Sequence, residues 1–325
     1  MKKHVLILSF LLVIILPQLL FSFFVTETHE GELTDDEQVT QEDVSRYISV
    51  KDGDCVLQME LDNYVTGVVL GEMPADFETE ALKAQAVATR TYTLRRVMRN
   101  GKHNDADVCT DSSCCQAFVQ TSDYSGGEEN LKKVKLAVFE TSGQVLTYDG
   151  NLIEATYFST SGGKTEDALA VWGASVPYLR SVDSPGEEKS KHFETSVVIS
   201  GSEFLKRLGL PESCQLSDGN IKITYTNGGG VDTLTLAGKA FSGIQLRTLL
   251  SLSSTAMTID VVDESVLITT KGNGHRVGMS QYGAEAMAVN GCSYEQILSH
   301  YYSGTTLEKF TAEQIDAIFD KAENL

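Results

Sequence analysis

Residues 64–98 read YVTGVVLGEMPADFETEALKAQAVATRTYTLRRVM, and this stretch limits the possible folds most strongly. The apolar run 65–70 reads as a buried strand that delivers one carboxylate, Glu72, just ahead of Met73-Pro74. A residue before proline is pushed out of the helical region, which places Glu72 beside a chain reversal. A long helix is predicted over 78–99, rich in Ala, Leu, Gln and Arg, with Asp76 or Thr79 as its cap. Ala81, Ala84, Ala86 and Ala88 keep it slim enough for close packing. Lys83 and Arg90 are seven apart and share a face. A carboxylate at the end of an apolar strand loses hydration, which raises its pKa and suits a general acid. The alternative is that Glu72 merely caps the following helix.

The chain has 325 residues, enough for one large domain or two modest ones. Its formal net charge of −19 excludes nucleic acid as a partner through bulk charge. An anionic ligand must then meet a local cation cluster, for which Lys83 and Arg90 are the candidates. Lys2 and Lys3 precede an uncharged apolar run over 5–25, which reads as a transmembrane anchor. Residues 1–4 would be cytoplasmic, 26–46 an acidic disordered stalk, and the rest extracytoplasmic. A cleaved signal peptide is the rival reading.

The fold class expected beyond the anchor is α+β. A helix-rich core would comprise 47–192 and 267–310, with a smaller α+β lobe of hairpins and short helices over 193–266. A C-terminal amphipathic helix would occupy 311–325, with Thr311 and Gln314 as its capping box and Ile315, Ile318, Phe319 and Ala322 on its apolar face. Strands are expected at 144–148 and 152–159 around Asp149-Gly150-Asn151. The second leads into a polar rim that begins Ser159-Thr160-Ser161 and continues in glycines. The lone Trp172 follows, either a sugar-stacking platform or a core residue. The loop KHNDADVCTDSSCCQAF gathers His103, Cys109, Cys114 and Cys115 within thirteen residues. Thiolates and imidazole at this density suit a closed structural zinc site, and a disulfide among the three cysteines is the alternative. Cys55, Cys214 and Cys292 are scattered and read as small buried apolar residues. The glycine-rich turn 272–284 holds His275, Gln281 and Tyr282, but it lacks both the P-loop and the dinucleotide spacing, so nucleotide is rejected.

Taken in order, GVVLGEMP with ALKAQAVATRTY, YFSTSGGKTE with VWG, and GHRVGMSQYGAEAMA with ILSHYYSG resemble the stage II sporulation protein D family, which includes amidase-enhancer proteins. The resemblance spans roughly 62–304. It implies a lytic transglycosylase that cleaves the N-acetylmuramic acid–N-acetylglucosamine β-1,4 bond of peptidoglycan during engulfment and leaves 1,6-anhydro ends. Its catalytic glutamate matches Glu72. The implied substrate is glycan stripped of stem peptides, and the implied partners are stage II sporulation protein P, an amidase, and protein M. On that reading Lys83 and Arg90 would hold the lactyl carboxylate, with Tyr157, Ser159, Ser161, His275, Gln281 and Tyr282 as further sugar contacts. Relatives often carry glycine at Arg276, which leaves the role of His275 open. The alternative function is a non-catalytic wall-binding activator of an amidase.

Overall fold

Helix α1 (Leu61–Glu72) and helix α2 (Thr79–Met98) carry the frame. Fourteen residues of α2 are buried, because helices and strands cover most of its circumference. Its alanines let those neighbours approach, and its polar residues bond inward. The Thr91 hydroxyl donates to Val87 O and accepts from Leu146 N at 3.0 Å. The N-terminus of α2 lacks the expected Asp76 or Thr79 cap. Glu285 Oε2 instead accepts from Glu78 N at 2.7 Å. A carboxylate there complements the positive end of the helix dipole.

The computed structural model describes residues 46–99, 102–217 and 219–323. These fall in one compact unit, Val44–Leu325, which holds two apolar clusters. The larger cluster joins α1, α2, Glu128–Glu140, Tyr294–Tyr301 and the strand Gln144–Tyr148. The smaller one is built on Phe204, Leu234, Phe241, Leu246 and Ile268. Its strands form two three-stranded sheets. In one, Val231–Leu236 lies between Lys222–Tyr225 and Lys239–Ser242. In the other, Ser265–Lys271 lies between Ala256–Val262 and Glu194–Ser200.

Three expectations need correction. The anchored, helix-rich design gives way to a mixed α+β protein. The supposed helical core is threaded with short strands, several only two residues long, such as Val108–Cys109, Tyr157–Phe158 and Met279–Ser280. Among the described residues no helix is long and apolar enough to cross a membrane. The anchor read over 5–25 and nearly all of the stalk lie outside the described residues. Second, the run 65–70 is helical. It belongs to α1 and is buried all round, so an apolar hexamer carries no face that would tell helix from strand. Third, Cys55 is exposed while Cys214 and Cys292 are only partly covered, so none of the three is a core residue.

Candidate active site

Glu72 is the last residue of α1, and its position depends on two glycines. Segment 117–119 crosses α1 at Gly67 and Gly71. A Cβ at Gly71 would lie 2.8 Å from Phe118 N and 2.9 Å from Ala117 C. Val119 N donates to Gly67 O, and the Phe118 ring stacks on Tyr64. This close approach brings Ala117 N to Glu72 Oε1 at 2.7 Å. From the other side Gln281 Nε2 donates to Glu72 Oε2 at 3.3 Å. Burial raises the Glu72 pKa, and these two donors, which favour the charged form, only moderate the rise. Glu72 is thus held as a protonatable group with its two oxygens already oriented.

Gly71→Ala is expected to push segment 117–118 off α1 and break the Ala117–Glu72 bond. Losing a donor to the carboxylate raises the Glu72 pKa further. NMR titration of Glu72 in the variant should show that upward move, and an unchanged titration would contradict the role given to Ala117.

Glu72 borders a cleft of about 690 Å³, which Tyr157, Ser159, His275, Trp172, Glu154, Arg95, Arg96 and Arg99 also line. The Tyr157 oxygen accepts from Gln116 Nε2 at 2.6 Å, and Gln116 Oε1 accepts from the Thr93 hydroxyl. Burial drives the Tyr157 pKa well up, so it is a neutral phenol. His275 sits between the rings of Phe158 and Trp172 at 5.6 and 5.7 Å. Its Nδ1 accepts from Val277 N, and desolvation lowers its pKa to about 4. It is therefore an uncharged prop for the indole. Trp172 is 43% exposed, on the cleft wall and not in the core.

Other expected site residues face elsewhere. Arg90 is fully buried and pairs with Asp62, while its Nη atoms donate to the Val138, Thr141 and Gln144 carbonyls. It locks Glu128–Glu140 onto α2. Lys83 bridges Glu80 and Glu140. Neither cation lines the cleft, because their shared face of α2 meets the Glu128–Glu140 helix. Ser161 is buried and donates its hydroxyl and its N–H to Glu187. Tyr282 packs edge-on against Phe77. Gln281 is buried and reaches Glu72 from behind. The cations that do line the cleft, Arg95, Arg96 and Arg99, follow Tyr92 at i+3, i+4 and i+7, a helical-face signal present in the sequence. Gln116 and the Ala117 N–H had no such signal, because a backbone donor leaves no trace in residue type.

The four residues His103, Cys109, Cys114 and Cys115 do converge. Their ligand atoms all lie within 4.8 Å of one another. Cys109 is fixed by the parallel pairing of Val108–Cys109 with Val50 and Lys51. Cys114 N and Cys115 N both donate to Asp111 O, a tight turn that aims the adjacent thiols the same way. Their sulfurs lie 3.7 and 3.6 Å from His103 Nε2. A tetrahedron with Zn–S near 2.3 Å and Zn–N near 2.0 Å has an N···S edge of about 3.6 Å, so the donor set fits zinc. All six cysteines are free thiols.

This combination defines a mixed α+β protein that presents one shielded carboxylate, a cationic wall and an exposed indole to a common cleft. The chain belongs to the stage II sporulation protein D family. The family model described as "Stage II sporulation protein" matches residues 50–148, which include Glu72 and the whole cysteine loop. Stage II sporulation protein D of Bacillus amyloliquefaciens is 40% identical over 78% of this chain and 76% of its own length. The protein of the same name from Bacillus subtilis (strain 168) is 38% identical over 79% and 77%. The amidase enhancer of Bacillus subtilis (strain 168) is 30% identical over 75% of this chain and 40% of its own length. The chain is thus a sporulation-family protein with an amidase-enhancer relative.

Proposed function

We propose that this protein is a lytic transglycosylase acting on peptidoglycan glycan from which an amidase has removed the stem peptides. The supporting observation is Glu72, a carboxylate kept protonatable by burial at the edge of a cleft, with both oxygens held by donors. Glu72 donates its proton to the glycosidic oxygen as the bond to the muramoyl C1 breaks. The resulting carboxylate then takes the proton of the same sugar's 6-hydroxyl as that oxygen closes on C1, forming the 1,6-anhydro ring. One acid/base suffices. Hydrolysis would call for a second free carboxylate. Glu154, the other acid of the cleft, is engaged by two arginines. The body works outside the cytoplasm, where its polymer is, during engulfment. Stage II sporulation protein P fits as the amidase that prepares the substrate, and protein M as its membrane partner.

His103, Cys109, Cys114 and Cys115 would hold a zinc ion, which supplies cross-linking of the 103–117 loop and no step of the reaction. That loop carries Gln116 and Ala117 to Tyr157 and Glu72.

The test uses the wild-type protein alone, without amidase, on glycan stripped beforehand. Mass spectrometry should find 1,6-anhydro-muramoyl ends. Intact glycan after prolonged incubation, together with stimulation of an added amidase, would favour the second reading, a wall-binding activator, which the amidase-enhancer relative supports. Trp172→Ala is expected to weaken binding of stripped glycan by about tenfold, the order of an aromatic contact with its buried area. Titration against the immobilised polymer measures it.

A further inference from the structure

We propose that Arg95, Arg96 and Arg99 form a carboxylate-reading subsite that makes the protein prefer glycan whose lactyl groups are free acids over glycan in which they are amides. The proposal rests on the carbohydrate reading above and assigns the group that sets its specificity.

The chain as a whole is strongly acidic, yet the cleft wall holds three guanidiniums against one carboxylate. Glu154 Oε2 accepts from Arg95 Nε at 3.0 Å, and its Oε1 accepts from Arg96 Nη2 at 2.5 Å. Two positive charges remain in formal excess. Even with Glu72 counted as ionised, one positive charge is left over in the cleft lining. A cationic patch inside an acidic molecule focuses an anionic ligand on one place.

The bonding shows where a ligand would be received. Arg95 commits its Nε to Glu154 and its Nη1 to the Leu152 carbonyl. Arg96 gives its Nη2 to Glu154, and its Nε is buried without a hydrogen-bond partner. The Tyr92 ring lies 4.6 Å from its guanidinium carbon and fixes its plane. Arg99 is exposed, one turn further along the same face, with no ion pair among the described residues. The guanidinium donors of Arg95 and Arg96 that Glu154 and Leu152 leave over, beside the unpaired Arg99, match a carboxylate in geometry and charge. On a peptide-free glycan the lactyl carboxylate of alternate sugars is the only such group. A stem peptide converts it into a neutral amide and removes the pairing.

The experiment uses Glu72→Gln protein, so that no cleavage disturbs binding, and reads the fluorescence of Trp172, the only tryptophan of the chain and a cleft residue. The probes are a hexasaccharide of alternating N-acetylglucosamine and N-acetylmuramic acid, the same hexasaccharide with its carboxyls converted to methylamides, and chitohexaose. At low salt the acid should bind about tenfold or more tighter than the amide, as expected for a hydrogen bond to a charged group. The gap should narrow as salt rises. Arg96→Gln and Arg99→Gln should each narrow it severalfold and leave the amide's affinity unchanged. Arg99 is exposed, so that variant keeps the fold and the result stays interpretable. Equal binding of acid and amide, or parallel weakening of both by the substitutions, overturns the subsite and leaves the transglycosylase reading standing. Failure of all three sugars to bind overturns both.

Discussion

Glu72→Gln is expected to lower release of 1,6-anhydro ends by about 10²–10⁴, the range supplied by a positioned proton donor and acceptor. The substitution keeps the shape of the side chain. Its amide oxygen can still accept from Ala117 N, and Gln281 can turn its own amide to suit the new partner. Loss of activity without loss of fold is therefore the outcome to look for. The folded pKa of Glu72 is raised by burial, so the folded state holds the proton more tightly than the unfolded one. Stability then falls as pH rises from the unfolded value through the folded value. The wild type carries this penalty at neutral pH, and the amide does not. Glu72→Gln should accordingly be more stable than wild type at pH 7, with the difference vanishing below the ordinary carboxylate range. Thermal unfolding at the two pH values, run beside the product assay, measures both. An equally active variant removes Glu72 from the chemistry. A variant less stable at pH 7 contradicts the shielded carboxylate.

The sequence made some of this legible because local chemistry decided it. The helix read over 78–99 is present as Thr79–Met98, since Ala, Leu, Gln and Arg favour it whatever surrounds it. Thr311 with Gln314 caps the last helix as read, because capping involves residues only three apart. What failed depended on packing that no local pattern records. The hexamer 65–70 has no polar face, so its helical state is set by the elements that enclose it. Lys83 and Arg90 do share a face, but spacing cannot tell which neighbour that face meets. It meets the carbonyl end of Glu128–Glu140, which together with Asp62 of α1 takes up Arg90. The cleft uses the face one turn on, where Tyr92, Arg95, Arg96 and Arg99 repeat at helical intervals and could have been read. Two-residue strands such as Met279–Ser280, paired in parallel with Tyr157–Phe158, are too short to carry any periodicity. Yet that pairing brings the glycine loop to the Tyr157 strand and so builds one wall of the cleft.

The cysteine loop gives the second large effect. If zinc fills the cluster, four side chains would hold it, and Cys109→Ser removes the buried, strand-held one. Outer-shell partners alone change metal affinity by about 10–100-fold, so losing a thiolate ligand should exceed that range. An ion that binds only the folded state stabilises it by mass action, and a 100-fold loss amounts to about 2.7 kcal/mol. For a domain of this size the Tm should fall by about 5 °C or more. The effect should also reach Glu72. Gln116 and Ala117 directly follow Cys115, and they hold Tyr157 and Glu72 through bonds of 2.6 and 2.7 Å. A loosened loop therefore costs the product assay more than the residual folded fraction accounts for. Metal analysis should find one zinc per wild-type chain and less than one in Cys109→Ser, and a chelator should reproduce the lowered Tm in the wild type. If the wild type instead contains no metal and a disulfide joins two of Cys109, Cys114 and Cys115, the loop is held covalently. The chelator would then have no effect, and a reductant would take its place as the agent that frees Ala117 from Glu72.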